Sequence, residues 1–142
     1  MTIPLLRRTE IGEADYRVAV RCVAGWLNSN DSMGGKLYMA RAGLIEAWRL
    51  SGAWHARQAK VPHLARAHII AELCFRDRRR RDVPNFYPTV KALIDGLVDA
   101  KVLDDDSSPR YLIGPDMRLG EPVKTHLGLV VLHIFALPEW TP

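Results

Sequence analysis

Alternation of apolar and polar residues predicts the strands of this chain. In residues 16–23 (YRVAVRCV) every second side chain is apolar, which is the pattern of a strand with one buried face. Residues 67–75 (AHIIAELCF) predict a second such strand, and residues 127–137 predict a final, strongly apolar one. A short strand is also expected at residues 111–113. The glycine- and proline-bearing residues 114–120 (GPDMRLG) that follow are expected to form a loop.

Two segments have the spacing of amphipathic helices. Residues 38–58 carry an apolar stripe beside charged positions, with a candidate break near Gly52. Residues 88–101 begin with Pro88, a residue suited to the first turn of a helix. The apolar residues of this second helix recur at helical spacing: Val90, Leu93, Ile94, Leu97 and Val98. The polar residues 26–36 (WLNSNDSMGGK) are expected to form a loop.

The order of these elements predicts the fold class. Strand, helix, strand, helix and strand indicate one α/β (α+β) domain over residues 1–142, a length typical of a single domain. We expect a small mixed β-sheet of about four strands with two main helices packed on it. Cys22 and Cys74 lie in apolar strands, too far apart for a metal knuckle, and are expected to be small buried residues.

Composition favours a globular protein outside the membrane. Hydrophobic residues make up 48% of the chain and charged residues 25%. The longest run without formal charge, residues 125–138, is shorter than the roughly 18 residues that a membrane-spanning helix needs. Residues 1–8 place their charge after a very short apolar piece, the reverse of a secretory signal. We therefore expect a cytoplasmic protein with no membrane partner.

The net charge of +4 comes mainly from arginine, which supplies fifteen of the twenty cations. Arginine binds phosphate through two parallel hydrogen bonds, whereas lysine offers a point charge. An arginine-rich basic chain therefore favours nucleic acid as a partner. A high genomic GC content also enriches arginine, so this composition does not decide the matter alone.

Residues 76–106 hold the groups that phosphodiester hydrolysis requires. An arginine run is followed by a carboxylate, by a helix with one lysine near its start, and by three consecutive aspartates. Hydrolysis needs a hard cation such as Mg²⁺, which takes oxygen ligands and keeps several waters. Arginines would hold the DNA backbone, and a lysine would neutralise charge developing on the phosphate.

Each of these groups also has an ordinary structural explanation. Four consecutive arginines commonly form a solvated or nonspecific nucleic-acid-binding surface. Three aspartates before Ser-Ser-Pro are typical of a turn. Lys91 has Asp95 four residues later, the spacing of a helix-surface ion pair. The five histidines show no metal-ligand spacing and are expected to be structural.

The order of these residues nevertheless resembles the core of the RusA family of Holliday junction resolvases. A basic run ends in Asp82, Asn85 follows, Lys91 lies in the pattern KALIDGL, and an Asp-Asp pair closes the segment. The resemblance covers residues 78–106 closely and most of the chain loosely. It implies a homodimeric, Mg²⁺-dependent endonuclease (Mn²⁺ being a substitute) that cuts branched DNA such as four-way junctions and forks. The implied setting is recombination or repair in bacteria or phage.

The resemblance also assigns roles to individual residues. It implies that Asp82, Lys91 and Asp106 are catalytic, and that Asp82, Asp105 and Asp106 bind the metal with Asn85 as a further ligand. The implied DNA-binding residues are Arg76, Arg78, Arg79, Arg80 and Arg81. Two features depart from the family. Pro84 stands where a second aspartate is expected, and the spacing from Asn85 to Lys91 is three residues longer. A DNA-binding dimer with weakened or lost catalysis is therefore the alternative.

The length of the predicted helix suggests a shared metal site. A helix over residues 88–101 is about 21 Å long, with Asp82 before its start and Asp106 after its end. Residues 102–106 span at most roughly 15 Å, too little for an easy return. Two subunits with these helices antiparallel would place Asp82 of one near Asp106 of the other. A third interpretation is a structural or interaction protein whose arginines form a solvated face.

Overall fold

The computed structural model describes residues 8–30 and 35–142. Within these residues the chain forms four strands, three α-helices and one 3₁₀ turn. The strands are β1 (Tyr16–Arg21), β2 (Arg66–Phe75), β3 (Leu112–Leu119) and β4 (Gly128–Leu137). The helices are α1 (Arg8–Ile11), α2 (Gly35–Gln58) and α3 (Tyr87–Asp99), and the 3₁₀ turn covers Val83–Phe86.

The strands form one mixed sheet in the order β1-β4-β2-β3. Strand β4 pairs antiparallel with both β1 and β2, whereas β3 pairs parallel with β2. Because parallel neighbours need a crossover connection, α3 joins β2 to β3 as a β-α-β unit. The prediction of an α+β domain with a four-stranded mixed sheet and two main helices is confirmed.

The hydrophobic core lies between this sheet and the helix pair formed by α2 and α3. Alternate residues of β1, β2 and β4 project from one sheet face into it, as the strand period requires. The fully buried large side chains from these elements include Val18, Ile69, Leu73, Phe75, Leu93, Leu97, Leu132 and Ile134. Helix α3 buries its predicted apolar stripe here and leaves its polar residues outside.

The predicted loop at residues 114–120 is wrong, because most of this segment belongs to β3. Hydrogen bonding to β2 overrides the local turn signal of glycine and proline. Gly114 has a φ of +94°, and a Cβ there would lie 2.7 Å from the Ile69 carbonyl oxygen. The glycine therefore permits a close backbone approach at the irregular register between His68 and Ile70.

The candidate break near Gly52 is also absent, because α2 is continuous from Gly35 to Gln58. A Cβ at Gly52 would lie 3.0 Å from the Leu93 carbonyl oxygen, and one at Gly96 would lie 2.3 Å from that of Arg49. The two glycines instead let α2 and α3 approach closely. The close packing of α2 against α3, and not chain flexibility, explains the glycine at position 52.

Other expectations have mixed outcomes. Cys22 and Cys74 are buried, as predicted, and are not joined by a disulfide. Residues 26–30 are irregular as expected, residues 31–34 lie outside the described residues, and α2 already begins at Gly35. Residues 1–7, on which the signal-peptide argument depended, also lie outside them. None of the described helices combines the length and apolar character needed to span a bilayer.

Candidate functional site

Helix α3 presents a narrow polar edge that carries the predicted lysine. Its buried residues face the sheet and α2, while Lys91 and Asp95 remain partly exposed one helical turn apart. The Lys91 Nζ donates to Asp95 Oδ1 at 2.5 Å. The helix-surface ion pair expected from their spacing is therefore present.

A second carboxylate reaches the same ammonium group from beyond the end of the helix. Lys91 Nζ also contacts Asp106 Oδ2 at 2.5 Å, so the lysine lies between two aspartates. The side chains of Asp95 and Asp106 are each 29% exposed, which makes this a half-buried cluster. We call Lys91, Asp95 and Asp106 the lysine–aspartate cluster.

The end of α3 explains how Asp106 returns to the helix. Lys101 adopts a φ of +65°, its N–H donates to Val98 O, and the N–H of Val102 donates to Leu97 O. This is a Schellman motif, which reverses the direction of the chain after a helix. Val102 is then buried, which holds the returning segment against the core.

This return corrects one step of the sequence argument. The segment after α3 was expected to be too short to come back along the helix, yet Asp106 contacts Lys91 in the second turn. The lysine side chain extends toward Asp95 and shortens the gap that the backbone has to cross. Asp106 therefore needs no second subunit to reach α3.

The pairing of Lys91 with Asp106 favours the ionised form of both groups. Burial lowers the pKa of Lys91, but hydrogen bonds from its ammonium to Asp106 and Asp95 outweigh this effect and raise the pKa above its usual value. The hydrogen bond from Lys91 lowers the pKa of Asp106 below its usual value, against a smaller opposing effect of burial. Lys91 is thus a cation held by two neighbouring carboxylates.

The three consecutive aspartates have different partners. Asp105 Oδ1 accepts the Asp106 N–H at 2.8 Å and Oδ2 accepts the Ser107 hydroxyl at 3.0 Å, so its carboxylate stabilises the local turn. Asp104 pairs with His63 at 3.0 Å on the exposed surface. Of the three, only Asp106 contacts the predicted lysine.

Asp82 and Asn85 precede α3, Asp82 just before the 3₁₀ turn and Asn85 within it. Asp82 is exposed, has an extended backbone and makes no side-chain cap to the 3₁₀ turn that follows it. Asn85 accepts the Ser29 N–H through its backbone oxygen at 2.7 Å. Pro84 occupies the first turn of the 3₁₀ segment, where its fixed φ is suitable. In the described structure, neither predicted ligand hydrogen-bonds to the lysine–aspartate cluster.

The carboxylates available for Mg²⁺ differ from the predicted set. Among residues 8–30 and 35–142, no three or more Asp, Glu, His or Cys side chains are grouped so that they could hold a metal ion. Asp95 and Asp106 are nevertheless adjacent hard oxygen donors that already share one cation, Lys91. Mg²⁺ commonly uses one or two carboxylates together with waters and substrate oxygens. These two aspartates therefore suit Mg²⁺ and do not suit Zn²⁺, which needs three or four protein ligands.

Asp77, which the sequence did not single out, organises the arginine run. Its carboxylate accepts the Arg79 N–H at 3.1 Å and the Arg81 guanidinium at 2.8 Å. The hydrogen bond from the backbone N–H of Arg79 lowers the pKa of Asp77 most, followed by the hydrogen bond from the side chain of Arg81. Residues 76–81 therefore form an ordered loop, which we call the arginine loop.

Arg81 differs from the other arginines of this loop. Its guanidinium also donates to the backbone oxygens of Asp77 and Arg79, and its carbon lies 4.3 Å from the centre of the Phe75 ring. Only 15% of its side chain is exposed, against 80% for Arg79. Arg81 is mainly a structural residue of the loop, whereas Arg79 is available to a ligand.

A basic cavity of about 470 Å³ opens beside the arginine loop. Arg76, Arg79, Arg81 and Lys124 line it, together with Gly25, Trp26, Asp77 and Leu127. Four cations thus face one carboxylate, an arrangement that favours an anionic ligand. Arg78 lies 3.6 Å from Glu121 in an exposed ion pair, and Arg80 is exposed. Lys124 could not be found from sequence because it lies more than forty residues beyond the arginine run.

The reverse face of the sheet holds a polar group that sequence reasoning treated as ordinary. His133 is fully buried, its Nε2 lies 3.0 Å from Glu72 Oε1, and its Nδ1 accepts the Arg17 Nε–H at 3.2 Å. Since Nδ1 is the acceptor, Nε2 carries the proton and donates it to Glu72. These hydrogen bonds satisfy the buried imidazole, as a structural histidine requires.

Neither family models nor curated proteins identify a relative of this chain. No protein-family model matches this chain, and no curated protein matches it at a significant level. The resemblance to RusA resolvases therefore rests on the sequence pattern of residues 78–106.

Proposed function

We propose that this protein is a Mg²⁺-dependent endonuclease of the RusA type that cuts branched DNA, including four-way junctions and forks. The observation that carries the proposal is the position of the Lys91 ammonium between the carboxylates of Asp95 and Asp106. A cation and two acidic oxygens at one half-buried point are the groups that phosphodiester hydrolysis uses. The arginine loop lies on the same β2–α3–β3 unit.

The protein side chains have separate tasks in this mechanism. A divalent cation bound by Asp95 and Asp106 would polarise the phosphoryl oxygen and lower the pKa of the attacking water. Lys91 has three N–H donors, so it can turn from its aspartates to a non-bridging phosphate oxygen and stabilise the charge that develops there.

The arginine loop would hold the DNA backbone. Arg76, Arg79 and Lys124 line the basic cavity, where a phosphate of the DNA backbone would bind. Contacts of this kind position the nucleic acid without reading its sequence. Arg81 would act by keeping the loop in shape, since its own donors are already engaged.

The remaining predicted ligands make no hydrogen bond to Lys91 in the described structure, and we assign them to the same metal sites in an assembly of two subunits. We propose a homodimer acting in the cytoplasm of bacterial or phage-infected cells. In this homodimer, the metal sites are completed by the remaining predicted ligands, Asp82, Asn85 and Asp105. Mixing Asp82→Asn subunits with Asp106→Asn subunits tests this sharing. Single nicks in the mixture support it, and a mixture as inactive as each variant alone contradicts it.

The decisive experiment is cleavage of a synthetic four-way junction with Mg²⁺ and, separately, Mn²⁺. Asp106→Asn should bind the junction and fail to cut it. Asp99→Asn is the matched control. Asp99 lies in α3, as Lys91 does, but it pairs with Arg49, which is not part of the lysine–aspartate cluster. If Asp106→Asn cuts at the wild-type rate, the cluster is not the active site. Fork, flap and linear duplex substrates then establish whether branching is required.

A DNA-binding dimer without catalysis is the second candidate. Pro84 in place of an aspartate and the two-carboxylate cluster favour it. It predicts junction affinity that falls steeply with salt, together with no scission in either metal. An absence of salt-sensitive DNA binding would contradict both candidates and favour a structural or interaction protein.

A further inference from the structure

Helix α2 has an apolar face that the described residues of the subunit, 8–30 and 35–142, leave exposed. Its inward side buries Trp48, Gly52, Ala53 and Ala56 against α3 and the sheet. Its outward side leaves Met39, Leu50 and Trp54 exposed by 71%, 59% and 56%. Large apolar side chains this exposed, and grouped on one helix, commonly mark an interaction surface.

The exposed residues form one continuous stripe. Met39, Gly43, Ala47, Leu50 and Trp54 follow each other at intervals of four, four, three and four residues, which places them on one side of a helix. The stripe continues to Val23, which is 69% exposed, around a cavity of about 200 Å³. We call these six residues the α2 stripe.

The size of the stripe fits an interface between two proteins. With on the order of 200 Å² for one large exposed side chain, Val23, Met39, Leu50 and Trp54 together expose roughly 500 Å² of mostly apolar surface. Twice this area is about the 1,000 Å² that a specific two-protein interface exceeds. The small residues between these side chains add to it.

The pattern of large and small residues in the stripe is symmetric about its centre. If a second α2 runs antiparallel with its midpoint beside Ala47, then Met39 lies opposite Trp54, and Leu50 lies opposite Gly43. A Cβ at Gly43 would find no atom within 4 Å, so space for the partner's leucine is open there. A surface that complements its own two-fold image is what an isologous dimer requires.

We therefore propose that the α2 stripe binds the α2 stripe of a second copy of this chain, with the two helices antiparallel. Helix α3 offers no equivalent surface, since its outward residues Lys91, Asp95 and Asp99 are charged. Pairing through α2 is an alternative to the pairing through the α3 helices expected from sequence, which would bring Asp82 of one subunit near Asp106 of the other. It takes the existence of a dimer from the function proposed above and adds the surface that forms it.

Oligomeric state measured by light scattering is the first test. The wild-type protein should have twice the 16.0 kDa mass of one chain, and Leu50→Glu should be monomeric with unchanged circular dichroism. Leu119→Glu is the control, because Leu119 is an exposed leucine on β3 away from α2 and should leave the dimer intact. A monomeric wild-type protein, or a Leu50→Glu dimer, overturns the proposal.

Disulfide cross-linking tests the register. The native cysteines are both buried, so an introduced surface cysteine is the accessible one. Ala47→Cys should cross-link to itself at the two-fold axis, and Met39→Cys should cross-link to Trp54→Cys in a mixture. Ala42→Cys, exposed on another side of α2, is the control and should remain uncross-linked. Cross-linking by Ala42→Cys in place of Ala47→Cys overturns the proposed register.

Both tests are run without DNA or metal, so their outcome is independent of nuclease activity. If cross-linking succeeds while junctions are not cut, the nuclease proposal fails and the interface stands. If the wild-type protein is monomeric and binds phosphatidylcholine vesicles unless Leu50 is changed to Glu, the stripe binds a lipid surface. That result overturns pairing between copies.

Discussion

Close packing of α2 against α3 strongly constrains substitution of Gly96. In Gly96→Ala, the new Cβ would lie 2.3 Å from the Arg49 carbonyl oxygen and 2.9 Å from the Ala53 nitrogen. Both are backbone atoms of α2, so no side-chain rotation relieves the contact. The two helices have to separate by about 1 Å to restore an ordinary van der Waals distance.

Two opposing effects determine the size of the change. Replacing a helical glycine by alanine stabilises a helix by about 1 kcal/mol, whereas overpacking a core contact costs about 1–3 kcal/mol and more when backbone has to move. We expect a net loss of roughly 1–2 kcal/mol in the free energy of unfolding, which corresponds to a Tm lower by about 3–8 °C for a chain of this size. The same separation would displace Lys91 and Asp95, which α3 carries.

Urea unfolding followed by circular dichroism measures this loss, with two glycines of α2 as references. Gly52→Ala meets the Leu93 carbonyl oxygen at 3.0 Å and should be close to neutral, and Gly43→Ala meets nothing and should stabilise by about 1 kcal/mol. All variants are compared in a Leu50→Glu background, so that association through the α2 stripe does not contribute. If Gly96→Ala is as stable as Gly43→Ala, the described helix contact is wrong.

Three further predictions concern charged groups. The fold lowers the pKa of Asp106, so the ionised carboxylate stabilises the fold at pH values above the ordinary aspartate pKa of about 4. Asp106→Asn should therefore lower the free energy of unfolding at neutral pH. The difference from the wild-type protein should disappear as acid titrates the carboxylate. Lys91→Met should raise the pKa of Asp106 in an NMR titration, because the hydrogen bond that lowers it is removed; an unchanged pKa would contradict the pairing. Arg81→Ala should lower the free energy of unfolding by about 1–3 kcal/mol in a urea titration and weaken junction binding, whereas Arg80→Ala should leave stability unchanged and affect binding alone.

The β1, β2 and β4 strands and the α3 helix could be predicted because local pattern and burial agree in them. Their apolar residues repeat at the strand or helix period, and the same residues form the core. Strand β3 was predicted only at its start, residues 111–113, and the rest of it was expected to be a loop. It is an edge strand with exposed residues and a glycine and proline in its first half, and pairing with β2 stabilises it. The glycines of α2 and α3 were likewise uninformative in sequence, since their role depends on the opposite helix.

For the candidate site, sequence alone determined the residue types and their order: a basic run, a lysine on an amphipathic helix, and aspartates after it. Tertiary structure decided which of these residues meet, because a reversal at Lys101 brings Asp106 back to Lys91. Asp82 precedes α3 and makes no hydrogen bond to this pair in the described structure. Likewise, only the folded structure shows that Arg81 stabilises the arginine loop and that Lys124 lines the basic cavity. Spacing along a chain constrains neighbours within a helix or a turn, and the meeting of distant side chains depends on how the elements between them pack.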